Sequence, residues 1–301
     1  MLNITIRQLK VFEAVARHLS YTRAAKELHL TQPAVSMQIK QLEDAIGHKV
    51  LEPFGKKNYL TAAGKEMQHY GREILHLLDE TEDVLLDLKG LKKGSLDISV
   101  ATTANDFATR ILAEFSRQHE KLNYRIDVTN RKTLIRQLEE NEKDLVIMGK
   151  PPQGLDVELD VIMENPLVVI ASSDHPLASE KQISLDELIK YTFVVREQGS
   201  GTRIAMERFF SKHGVEMTTS MEMTSNEAIK QAVQAGLGLG IVSIHTLNLE
   251  LETGRIVLLD VQNFPILRHW YVVYKHGKRL SAIADAFRTF VLQEGPSFLK
   301  S

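Results

Sequence analysis

The 301-residue chain has no cysteine at all. That absence excludes a disulfide framework, a cysteine-ligated zinc and a thiol nucleophile. The 11 histidines are scattered and no HExxH occurs, so neither a metal nor a cofactor is expected. No uncharged apolar run reaches 18 residues, and the N-terminal MLNITIRQLKVF lacks the basic, apolar, small-residue order of an export signal. A cytoplasmic protein without membrane contact is the expectation. GxxxxGK[ST] and GxSxG are also missing, which removes the P-loop and the nucleophile elbow as routes to catalysis.

What is present is the composition of a soluble protein, 43% hydrophobic and 25% charged, with length enough for two or three domains. The net charge of −2 conceals an asymmetry: residues 1–60 hold nine Lys/Arg against five Asp/Glu, a balance of +4, and the remainder carries −6. A basic head on an acidic body suits a head that meets nucleic acid.

Within the head, Leu9, Phe12, Val15 and Ala16 recur at helical spacing over residues 5–18, and a second short helix is predicted over 21–29. A third begins after Thr31, which can cap it, with Pro33 in its first turn where a missing N–H costs little. Val35, Ile39, Leu42 and Ile46 form its inward face. Gln32, Ser36 and Lys40 lie opposite, beside Pro33 and Met37, and are of the kind that reach base edges and phosphates from a helix in the major groove.

Residues 1–64, through TRAAKELHLTQPAVSMQIKQLE and the closing LTAAG, resemble the winged helix-turn-helix of the LysR-type transcriptional regulators. The resemblance implies that Arg23 touches the phosphate backbone, that Gln32, Pro33 and Ser36 face bases, and that Lys56 and Lys57 lie on the wing near the minor groove. Two positions depart from the family pattern, Met37 and Pro53, where many members carry arginine. Met37 can touch a thymine methyl but cannot make the bidentate guanine contact of arginine.

From Thr61 onward Met67, Tyr70, Ile74, Leu77, Val84, Leu88 and Leu91 repeat at spacings of three and four, with Thr81 in the one polar gap. A seam this regular predicts a helix paired with another helix, hence a dimer. The family resemblance implies pairing through this helix and a tetramer built from two such dimers. Lys92, Lys93 and Gly94 read as the hinge.

After Gly94, strand-like and helix-like stretches alternate (SLDISVAT, YRIDVT, DLVIMG, TFVVRE, IVLLDV), predicting parallel α/β units. Two crossings between halves are expected, near 161–172 and 265–275, with the last helix returning to the first half. This resembles the two-lobed, periplasmic-binding-protein-like effector domain of the same family. The expected fold class is therefore α/β. A winged helix-turn-helix occupies residues 1–60, a linker helix 61–93 and an effector-binding domain 94–301. Lobe 1 of that domain spans about 94–165 and 268–301, and lobe 2 about 166–267.

Ligand contacts in such sheets follow the strand ends. Here they are Thr102 and Thr103, Lys150, Asn226, and the REQGSGTR turn with Arg196, Gly199, Ser200, Gly201, Thr202 and Arg203. The turn opens a helix, where free N–H groups and the dipole favour an anion. The same words resemble the CbbR subfamily, regulators of carbon dioxide fixation operons. The implied function is a DNA-binding transcriptional regulator, an activator, whose promoter binding or bending responds to a small anionic metabolite. Double-stranded promoter DNA, RNA polymerase and further copies of the chain are its implied partners. The alternatives are a regulator of another pathway with a carboxylate or amino-acid effector, and a small-molecule enzyme carrying a DNA-binding head.

Overall fold

A computed structural model of the chain describes residues 3–54, 57–88, 95–119 and 122–299, and they form two compact units. The first holds α1 (Ile6–His18), α2 (Tyr21–Glu27), α3 (Gln32–Ile46), the hairpin β1 (Leu51–Phe54) and β2 (Lys57–Leu60), and the 27-residue α4 (Ala62–Leu88). Local chemistry starts each helix. Thr5 and Gln8 form a reciprocal capping box on α1, Ser20 caps α2, and Thr31 Oγ1 accepts from Ala34 N to cap α3. Phe12, Val15, Ala24, Val35, Ile39 and Leu42 then meet in one core.

The LTAAG stretch has a steric reason. Thr61 Oγ1 donates to the Lys49 carbonyl at 2.6 Å and accepts from Gly64 N at 3.0 Å, tying the start of α4 to the end of the preceding loop. A β-carbon at Gly64 would collide with the Val50 carbonyl, so only glycine lets α4 approach the hairpin this closely.

The second unit begins with β3 (Ser95–Ala101), α5 (Asn105–Gln118), β4 (Asn123–Thr129), α6 (Arg131–Glu139), β5 (Leu145–Gly149) and β6 (Val157–Glu164). It continues through β7 (Leu167–Ser172), α7 (Leu185–Leu188), β8 (Phe193–Arg196), α8 (Gly201–Lys212), β9 (Thr219–Met223), α9 (Asn226–Gln234) and β10 (Leu239–Ser243). It ends with α10 (Asn248–Glu252), β11 (Ile256–Leu258), β12 (His269–Lys275) and α11 (Ala282–Glu294). Two five-stranded sheets result, in the orders β4-β3-β5-β12-β6 and β11-β7-β10-β8-β9. Helices cover both faces of each. In the first sheet α5 and α11 bury Phe115, Phe287 and Val291 on one side while α6 buries Leu134 and Leu138 on the other.

The parallel units predicted from the alternation hold for β3, β4 and β5 and for β8, β9 and β10. The sheets as wholes are mixed, because β12 runs antiparallel to β5 and β6, and β7 to β10 and β11. Parallel neighbours need a long crossover. The strands handed directly from one sheet to the other have none and run against their neighbours. The two passages lie side by side: Leu167 and Ile266 exchange backbone bonds at 3.0 and 2.9 Å, and Asn165 N donates to the Arg268 carbonyl at 2.7 Å.

Candidate functional site

In the first unit α3 presents the face its periodicity predicts. Val35, Ile39 and Leu42 are buried, Ile46 is half-buried, and Thr31, Gln32, Pro33, Ser36, Met37 and Lys40 are all exposed. Arg23 is exposed on α2, its guanidinium donating to the His18 carbonyl at 2.6 Å. Lys57 begins β2, and Lys56 lies outside the described residues.

Along α4 the seam residues divide. Tyr70, Ile74 and Leu77 are exposed, joined by Leu78 and Leu85, an apolar stripe that the described residues of its own unit leave uncovered. Met67 instead packs against the core of the first unit. Val84 and Leu88 belong to the helix, but their side chains lie outside the described residues, as do Leu91 and the 92–94 hinge altogether.

The second unit contains a cavity of about 30 Å³ between its two sheets, room for roughly two waters. Six of the residues predicted from the strand ends line it: Thr102, Thr103, Arg196, Ser200, Gly201 and Thr202. Ser200 caps α8, its Oγ accepting from Arg203 N, and Gly201 and Thr202 of the first turn line the cavity. Arg196 is buried and committed. Its Nε and Nη2 hold both oxygens of Glu197 at 2.7 and 2.9 Å, and Nη1 donates to Asn226 Oδ1 at 3.0 Å. Its Nη2 also reaches Thr102 Oγ1 across the cavity at 3.5 Å.

Four predicted residues stand elsewhere. Arg203 is spent within its own half, on Glu207, Glu222 and the Arg196 carbonyl. Asn226 is buried behind Arg196 and positions it. Lys150 turns its side chain to solvent and contributes only its carbonyl, which accepts from Arg131 Nη2 at 2.8 Å. Gly199, at φ 81°, makes the left-handed turn before α8 and lines a larger outer groove of about 970 Å³.

Two arginines that line the cavity escape a reading of the sequence, Arg131 and Arg268. Arg131 follows β4, where the strand-end rule applied to YRIDVT would have found it. Arg268 sits on the passage into β12, and nothing local marks it. Its guanidinium has no hydrogen bond or ion pair with any described residue. Burial, then the charge of Arg131, draws it down to about 10. Burial likewise lowers Arg131. Among the described residues no group of three metal-ligating side chains forms, and no helix is long and apolar enough to cross a membrane.

Known proteins match both units. Residues 6–65 fit the bacterial regulatory helix-turn-helix protein, lysR family, and residues 89–296 fit the LysR substrate binding domain. The chain is 58% identical over 293 residues to a RuBisCO operon transcriptional regulator of Allochromatium vinosum, covering 97% of each. It is 46% identical over 291 residues to the HTH-type transcriptional activator CmpR of Synechocystis, covering 97% of this chain and 96% of that one. The Synechocystis CcmR regulatory domain in complex with 2-PG is 40% identical at a TM-score of 0.64, covering 66% of this chain and 96% of the domain. With the lysR-family helix-turn-helix matched over residues 6–65 and the LysR substrate binding domain over residues 89–296, the chain is a DNA-binding transcriptional regulator and belongs to the LysR family.

Proposed function

We propose that the protein activates genes of carbon dioxide fixation in response to a small anionic metabolite held between the two sheets of its second unit. The observation that carries the anion is the cavity itself: hydroxyls, the start of α8 and the guanidiniums of Arg131, Arg196 and Arg268 line it, against the single carboxylate of Glu197. The names of the RuBisCO operon regulator and of CmpR support the target genes. The 2-PG complex of the CcmR domain supports 2-phosphoglycolate as the first metabolite to test.

On this reading Gln32, Pro33, Ser36 and Met37 face bases, while Arg23, Lys40, Lys56 and Lys57 meet phosphates. The apolar stripe of α4 pairs two copies, and two pairs make a tetramer that works on promoter DNA with RNA polymerase in the cytoplasm. A ligand favours the arrangement of the two sheets for which it has the higher affinity. The experiment is a footprint on the operator of a carbon dioxide fixation operon with and without 2-phosphoglycolate. Protection that changes while the ligand stays chemically intact is the expected result. Turnover of the ligand, or protection indifferent to it, counts against the proposal.

A further inference from the structure

We infer that Phe54, at the end of β1, is a wedge that enters the minor groove of the operator and parts two stacked base pairs, kinking the duplex at that step. The inference rests on the first unit reading DNA through α3. It adds where the DNA is bent, and by which side chain.

Phe54 is 79% exposed, more than any other large apolar side chain among the described residues, and Tyr59 beside it is 43% exposed. The two rings meet edge to face, their centroids 6.1 Å apart. The register of the hairpin explains the pair. Leu51 stands opposite Leu60, Glu52 opposite Tyr59 and Phe54 opposite Lys57. Side chains alternate between the faces of a strand, so Phe54 and Tyr59 are diagonal neighbours on one face. Leu51 and Leu60 turn to the other face and pack against the core of the unit. Tyr59 therefore backs Phe54 on the side away from the core. Pro53, which stands where many family members carry arginine, fixes its φ and stiffens the strand just before the ring.

The hairpin is fastened to the helix that carries the reading face. Glu43, in the last turn of α3, accepts from Val50 N at 3.1 Å and from Lys49 Nζ at 2.6 Å, and Val50 is fully buried. From the buried Leu51 the strand runs three residues to Phe54, about 10 Å of extended chain. The ring is thus held at the end of a short arm on the same body as α3.

Charge and continuity select DNA as the occupant of this face. Residues 1–60 carry a balance of +4, a lysine is the cross-strand partner of Phe54, and Glu52 is the one carboxylate of the two strands. An apolar wedge between base steps is how minor-groove proteins kink a duplex, and a base stacks on an aromatic ring whatever its identity. Parting a step costs least where a pyrimidine precedes a purine. The wedge therefore gives sequence preference at a position where no hydrogen bond reads a base.

The test uses the full chain as wild type, Phe54→Ala, Phe54→Leu and Gln32→Ala, on a duplex selected by the wild type from a random-sequence pool. 2-Aminopurine, which brightens when unstacked, replaces its adenines one at a time, and energy transfer between dyes at the two ends reports the bend. The wild type should brighten a step outside the bases read by α3 and kink the duplex by about 20–90°. Phe54→Ala should lose both signals and bind about tenfold more weakly, with the salt dependence unchanged because no charge is removed. Phe54→Leu should keep part of both, since leucine also serves as a wedge. The melting temperature of each Phe54 variant should match that of the wild type, as an exposed ring adds little to stability. Replacing a pyrimidine–purine step at the brightened site by AA should weaken the wild type several-fold and leave Phe54→Ala unaffected. Weaker binding by Phe54→Ala with brightening and bend intact would put the ring against sugars and overturn the wedge. A lower mass of Phe54→Ala in sedimentation, with the DNA distorted as by wild type, would make the face a contact between copies and overturn it too. If Gln32→Ala binds weakly and Phe54→Ala binds and distorts like wild type, the reading face of α3 stands and the wedge falls. If Gln32→Ala binds like wild type and Phe54→Ala loses the distortion, the wedge stands and that reading of α3 falls.

Discussion

The exposed face of α3 and the cleft between the sheets of the second unit treat polar side chains in opposite ways. On α3, Gln32, Ser36 and Lys40 stand in solvent, where water can satisfy them. In the cleft, Arg196 and Asn226 are buried and bound to each other before any ligand arrives, since an unmatched buried charge costs several kcal/mol. The difference separates reading from holding. The surface proposed to read DNA leaves its groups to solvent, whereas the cleft ties Arg196 to Glu197 and Asn226, and Arg131 to the Lys150 carbonyl.

The sharpest break of the contrast is Arg196→Met. It strands Glu197 and Asn226 beside the cavity and should cost about 3–5 kcal/mol of folding stability by denaturant titration; a loss under about 1 kcal/mol would mean that the committed network is not structural. Next is Leu77→Lys, which places an ammonium in the exposed apolar stripe of α4. It should weaken pairing by about 2 kcal/mol or more, because the charge has no partner once desolvated. Sedimentation should show the lighter species, and operator affinity should fall with it; an unchanged mass would remove this stripe as the pairing surface.

Smaller effects sharpen the same contrast on the reading side. Gln32→Ala and Ser36→Ala should each cost about 1–3 kcal/mol of specific operator affinity, with the salt dependence of binding almost unchanged. Their melting temperatures should stay at the wild-type value, as exposed substitutions change stability by only about 0.5 kcal/mol. Equal losses on operator and unrelated DNA would reassign them to the backbone. Least of all is expected from Lys150→Ala, whose side chain faces solvent while its carbonyl serves Arg131. Ligand affinity should stay within about 0.5 kcal/mol of wild type by calorimetry, and a larger loss would bring that lysine into the site.

The same contrast explains how much could be read from the sequence. The face of α3 is legible because one helix carries it: a spacing of three and four sorts Val35, Ile39 and Leu42 inward and leaves Gln32, Ser36 and Lys40 outward. The cleft is assembled from segments far apart in the chain, and strand-end reasoning finds only those that follow a recognisable strand. It finds Thr102 and Ser200 that way. At Lys150 and Arg203 the strand-end position is right, and the side chain turns to solvent or to neighbouring carboxylates. Arg268 is illegible in principle, since its place depends on the two passages lying together, a long-range pairing that no local pattern encodes. The mixed sheets were hidden for the same reason.

The most direct test of the account is the footprint of Thr102→Ala and Thr202→Ala on a carbon dioxide fixation operator, with and without 2-phosphoglycolate. Both threonines line the cavity and neither belongs to the DNA-binding unit. The account predicts wild-type protection without ligand, a normal melting temperature, and a response to the metabolite that is lost or much reduced in both variants. A full wild-type response from both would contradict it, because the ligand would then act on the promoter complex from somewhere other than this cleft.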